Sequence, residues 1–127
     1  MVMIKMCIST RDEILIVDLE QVVYFHANGN YTEIMYIEGK KQMITVGISK
    51  IEEYLRKALP KNSASPFIRM GRSLIINQTY LYSINVLKQQ LALSDFKSHT
   101  FSLKVPKQLL KQYKEHIRKE YDKDTNE

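Results

Sequence analysis

The chain has 127 residues, 44% hydrophobic and 26% charged, with four Gly, three Pro, one Cys and a net charge of +5. This describes one globular domain with a modest core and excludes a disordered chain; no apolar run approaches the ~18 residues of a membrane helix. Residues Met1 to Ile8 are too short for a signal-peptide core and no cleavage site follows, so the expected location is the cytoplasm, with no membrane partner.

Val2 to Ile8 and Glu13 to Val17 read as two short strands joined by the polar stretch Ser9-Thr10-Arg11-Asp12. Cys7, alone and in an apolar segment, reads as a small packed hydrophobe, because one thiol makes no internal disulfide. Val22 to His26 and Tyr31 to Ile37 follow as strands around Asn28-Gly29-Asn30, which supplies turn chemistry. Glu38-Gly39-Lys40 then turns the chain toward Gln42 to Val46, completing a meander of antiparallel strands.

The period changes next. Ile48, Ile51, Leu55 and Leu59 share one face of a helix, with Ser49 as N-cap and Glu52 completing a capping box, and Pro60 ends it. After a polar loop from Lys61 to Pro66, the run Leu74-Ile75-Ile76 sits behind Arg69, Arg72 and Ser73 and reads as a buried strand. Tyr80 to Leu87, Gln90 to Leu93 and Thr100 to Val105 are further strands, the last with Phe101, Leu103 and Val105 on one face and Thr100, Ser102 and Lys104 on the other. Tyr24, Tyr36, Tyr80 and Tyr82 lie in strand-like segments and read as filling the core edge.

Pro106 opens a final helix whose apolar side is Leu109, Leu110, Tyr113 and Ile117. Lys107, Lys111, Lys114 and Arg118 fall on one stripe of its other side, which is either a phosphate-contacting row or a solvated helix face. Asp122 to Glu127 reads as a polar, disordered tail, leaving residues 1–121 as the domain.

Between Arg56 and Lys119 thirteen Lys or Arg face only Asp95 and Glu115, a local surplus of eleven, whereas residues 1–46 hold four bases and six acids. Such segregation suits a polyanion, though a well-solvated surface explains it equally. Catalytic chemistry has no support. His26, His99 and His116 are far apart and lack metal-ligand spacing, no glycine-rich phosphate loop or nucleophile elbow occurs, and Asp12-Glu13 and Glu52-Glu53 fit solvated acids. No enzyme activity, metal or cofactor is expected.

The stretch VVYFHANGNYTEI (Val22 to Ile34) resembles the LytTR family of DNA-binding domains of bacterial transcription regulators. GISKIEEYL (Gly47 to Leu55) resembles that family's helix, PFIRMGRSLIIN (Pro66 to Asn77) its arginine-containing motif, and TFSLKVPKQLLKQY (Thr100 to Tyr113) its closing strand and helix. The resemblance, in order from about Ile4 to Ile117, implies a mostly β fold: short antiparallel strands in packed sheets, a LytTR-like β-β-β sandwich with one short internal helix and a C-terminal helix. It also implies sequence-specific binding to double-stranded promoter DNA, read from loops and strand edges in successive major grooves rather than by a recognition helix.

Carried over, the family's first contact region falls on Asn28, Asn30, Tyr31 and Thr32, where Asn or Thr reaches base edges, although Asn28 and Asn30 also suit pure turn chemistry. The second falls on Arg69, Arg72 and Ser73. Arg72 is the strongest candidate for a bidentate grip on guanine or a clamp on phosphate, and Arg69 reads either as a contact or as a salt-bridge arginine. The third falls on the loop and strand ending at Val105, with Lys104 and Lys107; Lys97, Ser98 and His99 form a polar loop that also meets the DNA backbone, and Lys111 of the helical stripe is a further phosphate candidate. Lys107 stands where the family usually has arginine, keeping the charge without the fork, and Gly71 stands where the family often has histidine.

The family also implies direct-repeat sites, self-association on DNA, and a receiver domain or sensor partner outside this chain. Two rival readings stay open. One is a β-sheet protein-interaction module whose basic surface docks an acidic partner without nucleic acid. The other is single-stranded or RNA binding on Tyr31, Phe96 and Phe101 as stacking platforms.

Overall fold

Apolar residues alternate along Lys5–Ser9 (β1) and Ile14–Asp18 (β2), which pair antiparallel with Cys7 opposite Ile16. The computed structural model describes residues 4–61 and 64–125. Val2 and Met3 of the expected first strand, Asn62 and Ser63 of the polar loop, and Asn126 and Glu127 of the expected tail lie outside these residues. Met6, Ile8 and Val17 point into the core, while Cys7, Ile14 and Ile16 are exposed. Cys7 is thus not a packed hydrophobe, because the two-residue period of β1 that buries Met6 and Ile8 turns position 7 outward.

The chain divides into two compact units, Met1–Thr79 and Tyr80–Glu127, where the sequence reads as one domain over 1–121. In the first unit, Val22–Asn28 (β3), Tyr31–Tyr36 (β4) and Lys41–Ile44 (β5) form the expected meander, and Phe67–Arg69 (β6) and Leu74–Asn77 (β7) join on the far side of β3. The result is a five-stranded antiparallel sheet in the order β5-β4-β3-β7-β6. Its inner strands explain the apolar runs: Val22 to Phe25 and Leu74 to Asn77 are buried on both faces. Asn77, the polar member, donates from Nδ2 to the Val22 carbonyl at 2.9 Å and accepts from Thr79 N at 3.0 Å, so its burial leaves no polar atom orphaned.

Residues Ile48–Ala58 form α1, which buries Ile48, Ile51 and Leu55 and lies against β1 and β3. The capping box does not form. Gly47 is the N-cap, with no side-chain cap bond, and its carbonyl accepts from Lys50 N and Ile51 N at 3.1 Å. Ile48 has to enter the core, so the helix starts before Ser49, and the Glu52 carboxylate turns to Arg69 instead. Fully burying a side chain such as Ile51 contributes about 1.5–3 kcal/mol, which holds α1 without a cap.

The second unit is a three-stranded antiparallel sheet of Leu81–Asn85 (β8), Gln90–Ser94 (β9) and Thr100–Lys104 (β10), in the order β8-β9-β10, followed by Lys107–Thr125 (α2), which lies against β8. In β10 Thr100, Ser102 and Lys104 are exposed and Phe101 and Leu103 half-buried, as the alternation predicts. Leu110 and Tyr113 are the buried residues of α2, and burial pushes the Tyr113 hydroxyl up to about 12. The helix passes the point where a tail was expected: Arg118 binds Asp122 at 2.6 Å one turn on and the helical backbone continues to Thr125. Across both units the fold is mostly strand in three antiparallel sheets with two α-helices, and no helix among the described residues is long and apolar enough to cross a membrane.

Candidate nucleic-acid interface

In the first unit, strand pairing brings two of the expected contact regions together. β3 and β4 are joined at Gly29-Asn30, with Asn28 opposite Tyr31, and Gly29 takes a φ of +65° that favours glycine. β3 also pairs with β7, His26 opposite Leu74, and Ala27 N continues the ladder by donating to the Ser73 carbonyl at 2.7 Å. The hairpin tip and the turn from Met70 to Ser73 are therefore neighbours at one end of the sheet. Asn28, Asn30, Arg72 and Ser73 are exposed there, and Tyr31 is 49% exposed.

The turn holding Arg72 is stapled from behind. Met70 is buried and its N–H donates to the Leu74 carbonyl at 2.7 Å; Gly71 takes a φ of +78°, which a histidine at this place would adopt only with strain. Arg69 donates from Nε to the Gly71 carbonyl at 2.7 Å and from Nη2 to the Arg72 carbonyl at 2.9 Å, while its Nη1 meets Glu52 Oε1 at 2.8 Å. Arg69 is thus the salt-bridge arginine of its two readings, with its guanidinium committed within the protein. Arg72 is its opposite, exposed and with no side-chain partner among the described residues.

Thr32 needs correction. It is fully buried, and its hydroxyl donates to the Val46 carbonyl at 2.6 Å, because the alternation that exposes Tyr31 turns the next side chain inward. It supports β4 and offers nothing to a ligand.

The third region is two places, not one. Lys97, Ser98 and His99 lie in the β9–β10 loop at the Thr100 end of β10, and Lys104, Lys107 and Lys111 lie at the other end. A five-residue strand separates its ends by roughly 13 Å. At the first end Asp95 organises the loop: its Oδ1 accepts from the backbone of Lys97, Ser98 and His99 at 2.8, 3.1 and 3.0 Å, and its Oδ2 lies 3.2 Å from His99 Nδ1. These bonds, led by the His99 backbone N–H, hold the carboxyl down to about 2. The Ser98 hydroxyl is also 3.2 Å from His99 Nδ1, so of the three expected contacts Lys97 is the one whose exposed side chain has no partner among the described residues.

Beside this loop Phe96 takes a φ of 63° and packs edge-on against Tyr82 with ring centroids 5.5 Å apart, both rings more than half exposed. Tyr82 therefore does not fill the core edge: it sits on β8 at the edge of its sheet.

At the other end, Val105 N donates to the Gln89 carbonyl at 3.1 Å, which brings the β8–β9 turn beside the start of α2. Lys88, held in that turn by its N–H on Asn85 Oδ1 at 2.9 Å, joins Lys104, Lys107 and Lys111 as exposed lysines with no carboxylate partner among the described residues. Lys88 is a member that sequence reasoning missed; only the Val105–Gln89 pairing places it there. The helical stripe continues to Lys114 but loses Arg118, which is tied to Glu115 and Asp122. Among the described residues no group of three or more His, Cys, Asp or Glu could hold a metal ion.

The family model described as the LytTr DNA-binding domain matches residues 12–118, from just before β2 into α2. Among solved structures, the LytTr DNA-binding domain of a Bacillus cereus protein described as a methyl-accepting/DNA response regulator is 21% identical, with 90% of this chain and 96% of that chain covered and a TM-score of 0.57. That likeness shows the fold. No curated protein matches the sequence.

Proposed function

The chain belongs to the LytTr DNA-binding domain family, and from that premise we propose that it recognises promoter DNA sequence-specifically in the bacterial cytoplasm, as the DNA-reading part of a transcriptional regulator. Arg72 carries the reading. The backbone of its turn is already fixed by Arg69 and so loses little freedom on binding, and the exposed guanidinium's fork matches the O6 and N7 acceptors of guanine in the major groove. Asn28, Asn30 and Tyr31, at the same end of the sheet, read or position neighbouring bases. Lys88, Lys104, Lys107 and Lys111 bind phosphates, with Lys97 as a separate backbone contact, and none of these lysines supplies the planar fork that base reading by arginine uses.

The finer reading is a direct-repeat operator, chains associating on it, and control by a receiver domain or sensor outside this chain. No catalysis and no cofactor enter it. Selection of bound duplexes from a random pool at physiological salt tests the proposal, followed by titration of the winner against a scrambled duplex. A repeated motif bound at least ~1,000-fold more tightly is expected. Binding without enrichment leaves only a basic surface, and no binding at low salt transfers the case to a protein-interaction module.

A further inference from the structure

We infer that the groove between α1 and β6 is a binding site for a small amphipathic organic anion, a carboxylate with an apolar body, and that its occupation opposes DNA binding. The cavity has a volume of about 440 Å³, within the ~300–1,000 Å³ of small-molecule sites. Helical spacing builds it: Leu55 and Leu59, four residues apart, form an apolar wall, and Glu52 and Arg56, also four apart, form a charged rim. Phe67 of β6, packed on Phe25 at 5.9 Å between centroids, and Arg69 close the other side.

Charge selects the ligand. Glu52 is engaged by Arg69 at 2.8 Å, while Arg56 and Lys61, which also lines the groove, have no carboxylate partner among the described residues, so the rim keeps a positive surplus above an apolar wall. A neutral apolar molecule would leave that charge unanswered, and a compact polar anion would leave Leu55, Leu59 and Phe67 wet. An organic anion with an apolar body satisfies both.

Arg69 links the groove to the Arg72 turn. The guanidinium that lines the groove also donates to the carbonyls of Gly71 and Arg72. A carboxylate at the rim competes with Glu52 for Nη1 and draws the guanidinium from those carbonyls, loosening the turn that presents Arg72. Ligand and DNA then favour different arrangements of one side chain, and each weakens the other by the same factor. This coupling rests on the DNA-binding reading above; the site itself does not.

The test is an amide NMR titration of the DNA-free full chain with sodium octanoate, with 1-octanol and sodium chloride as controls. Expected are saturable octanoate shifts at Leu55, Leu59 and Phe67, a loss of octanoate affinity of about tenfold in Arg56→Gln, and 1-octanol binding indifferent to that substitution. Saturating octanoate should also weaken the selected duplex by about tenfold, within the usual span of coupling between sites. Absent or scattered shifts, unchanged octanoate affinity in the folded R56Q variant, or unchanged DNA affinity at saturation would each overturn the proposal. Failure of the ligand-free chain to bind any duplex overturns the DNA reading instead, while the octanoate shifts still judge the site.

Discussion

Glu52 and Arg69 are seventeen residues apart in the chain and 2.8 Å apart in the structure, and through this contact α1 braces the turn that carries Arg72. The carboxylate fixes one corner of the guanidinium, and the other corners fix two successive carbonyls of the Arg72 turn. Each of the following predictions isolates one element of this arrangement or of the lysine cluster in the second unit.

Replacing Arg72 by Ala should cost ~1–3 kcal/mol on the selected duplex and much less on a scrambled one. Its exposure means thermal stability stays within about 0.5 kcal/mol of the parent. Fluorescence anisotropy on both duplexes checks this. Equal losses on the two would remove Arg72 from base reading.

Glu52→Gln should weaken specific binding several-fold through the turn that Arg69 braces. The pair is partly exposed, so its direct effect on folding stays at about 0.2–1 kcal/mol. A double-mutant cycle with Arg72→Ala separates the causes: the Glu52 effect should largely vanish once the Arg72 side chain presented by the braced turn is gone. Simple additivity would show that Glu52 acts elsewhere.

Thr32→Val should behave in the opposite way. Deleting the hydroxyl leaves the Val46 carbonyl without its 2.6 Å donor in a fully buried place, at about 1–3 kcal/mol of stability. Chemical denaturation reads that loss, while DNA affinity of the folded protein should stay unchanged. A selective loss of specific binding would return Thr32 to the contact surface.

Lys107→Ala and Lys111→Ala should weaken specific and random duplexes alike, and each should reduce the slope of log affinity against log salt by about one. Arg118→Ala, which removes a charge already neutralised by Glu115 and Asp122, should leave the slope unaltered. A changed slope there would mean that the ion pairs open on DNA.

The β9–β10 loop should have a defined acid limit. Asp95 is held down to about 2 from an ordinary value near 3.8. Its contribution is therefore complete above about pH 4 and is lost as pH falls through about 2. Tyr113, pushed up to about 12, acts in the other direction: its contribution is complete below the usual tyrosine value of about 10 and is lost as pH rises through about 12. Amide shifts of Lys97, Ser98 and His99 followed between pH 5 and 2 check the acid limit, and an unchanged loop at pH 2 would contradict it.

Strand order along the chain was readable because alternation is local: Phe101, Leu103 and Val105 against Thr100, Ser102 and Lys104 need no partner strand to be seen. So was the burial of Leu74, Ile75 and Ile76. What the sequence hides is pairing between distant segments. Nothing near Arg69 announces Glu52, so its two readings are separated only by the fold, and Lys88 joins the basic cluster only through the Val105–Gln89 bond. The capping box at Ser49 fails for a related reason, since the burial of Ile48 outweighs a cap. At Thr32 the resemblance places a contact on a residue that the strand period of Tyr31 to Ile37 turns inward beside an exposed Tyr31.

Arg69 grips the turn through the carbonyls of residues 71 and 72, groups that every amino acid carries, and never through the side chain at position 72. Residue 72 is consequently a replaceable letter in a fixed frame. On the DNA-binding reading proposed above, exchanging that single residue would shift the operator preference while the turn keeps its shape.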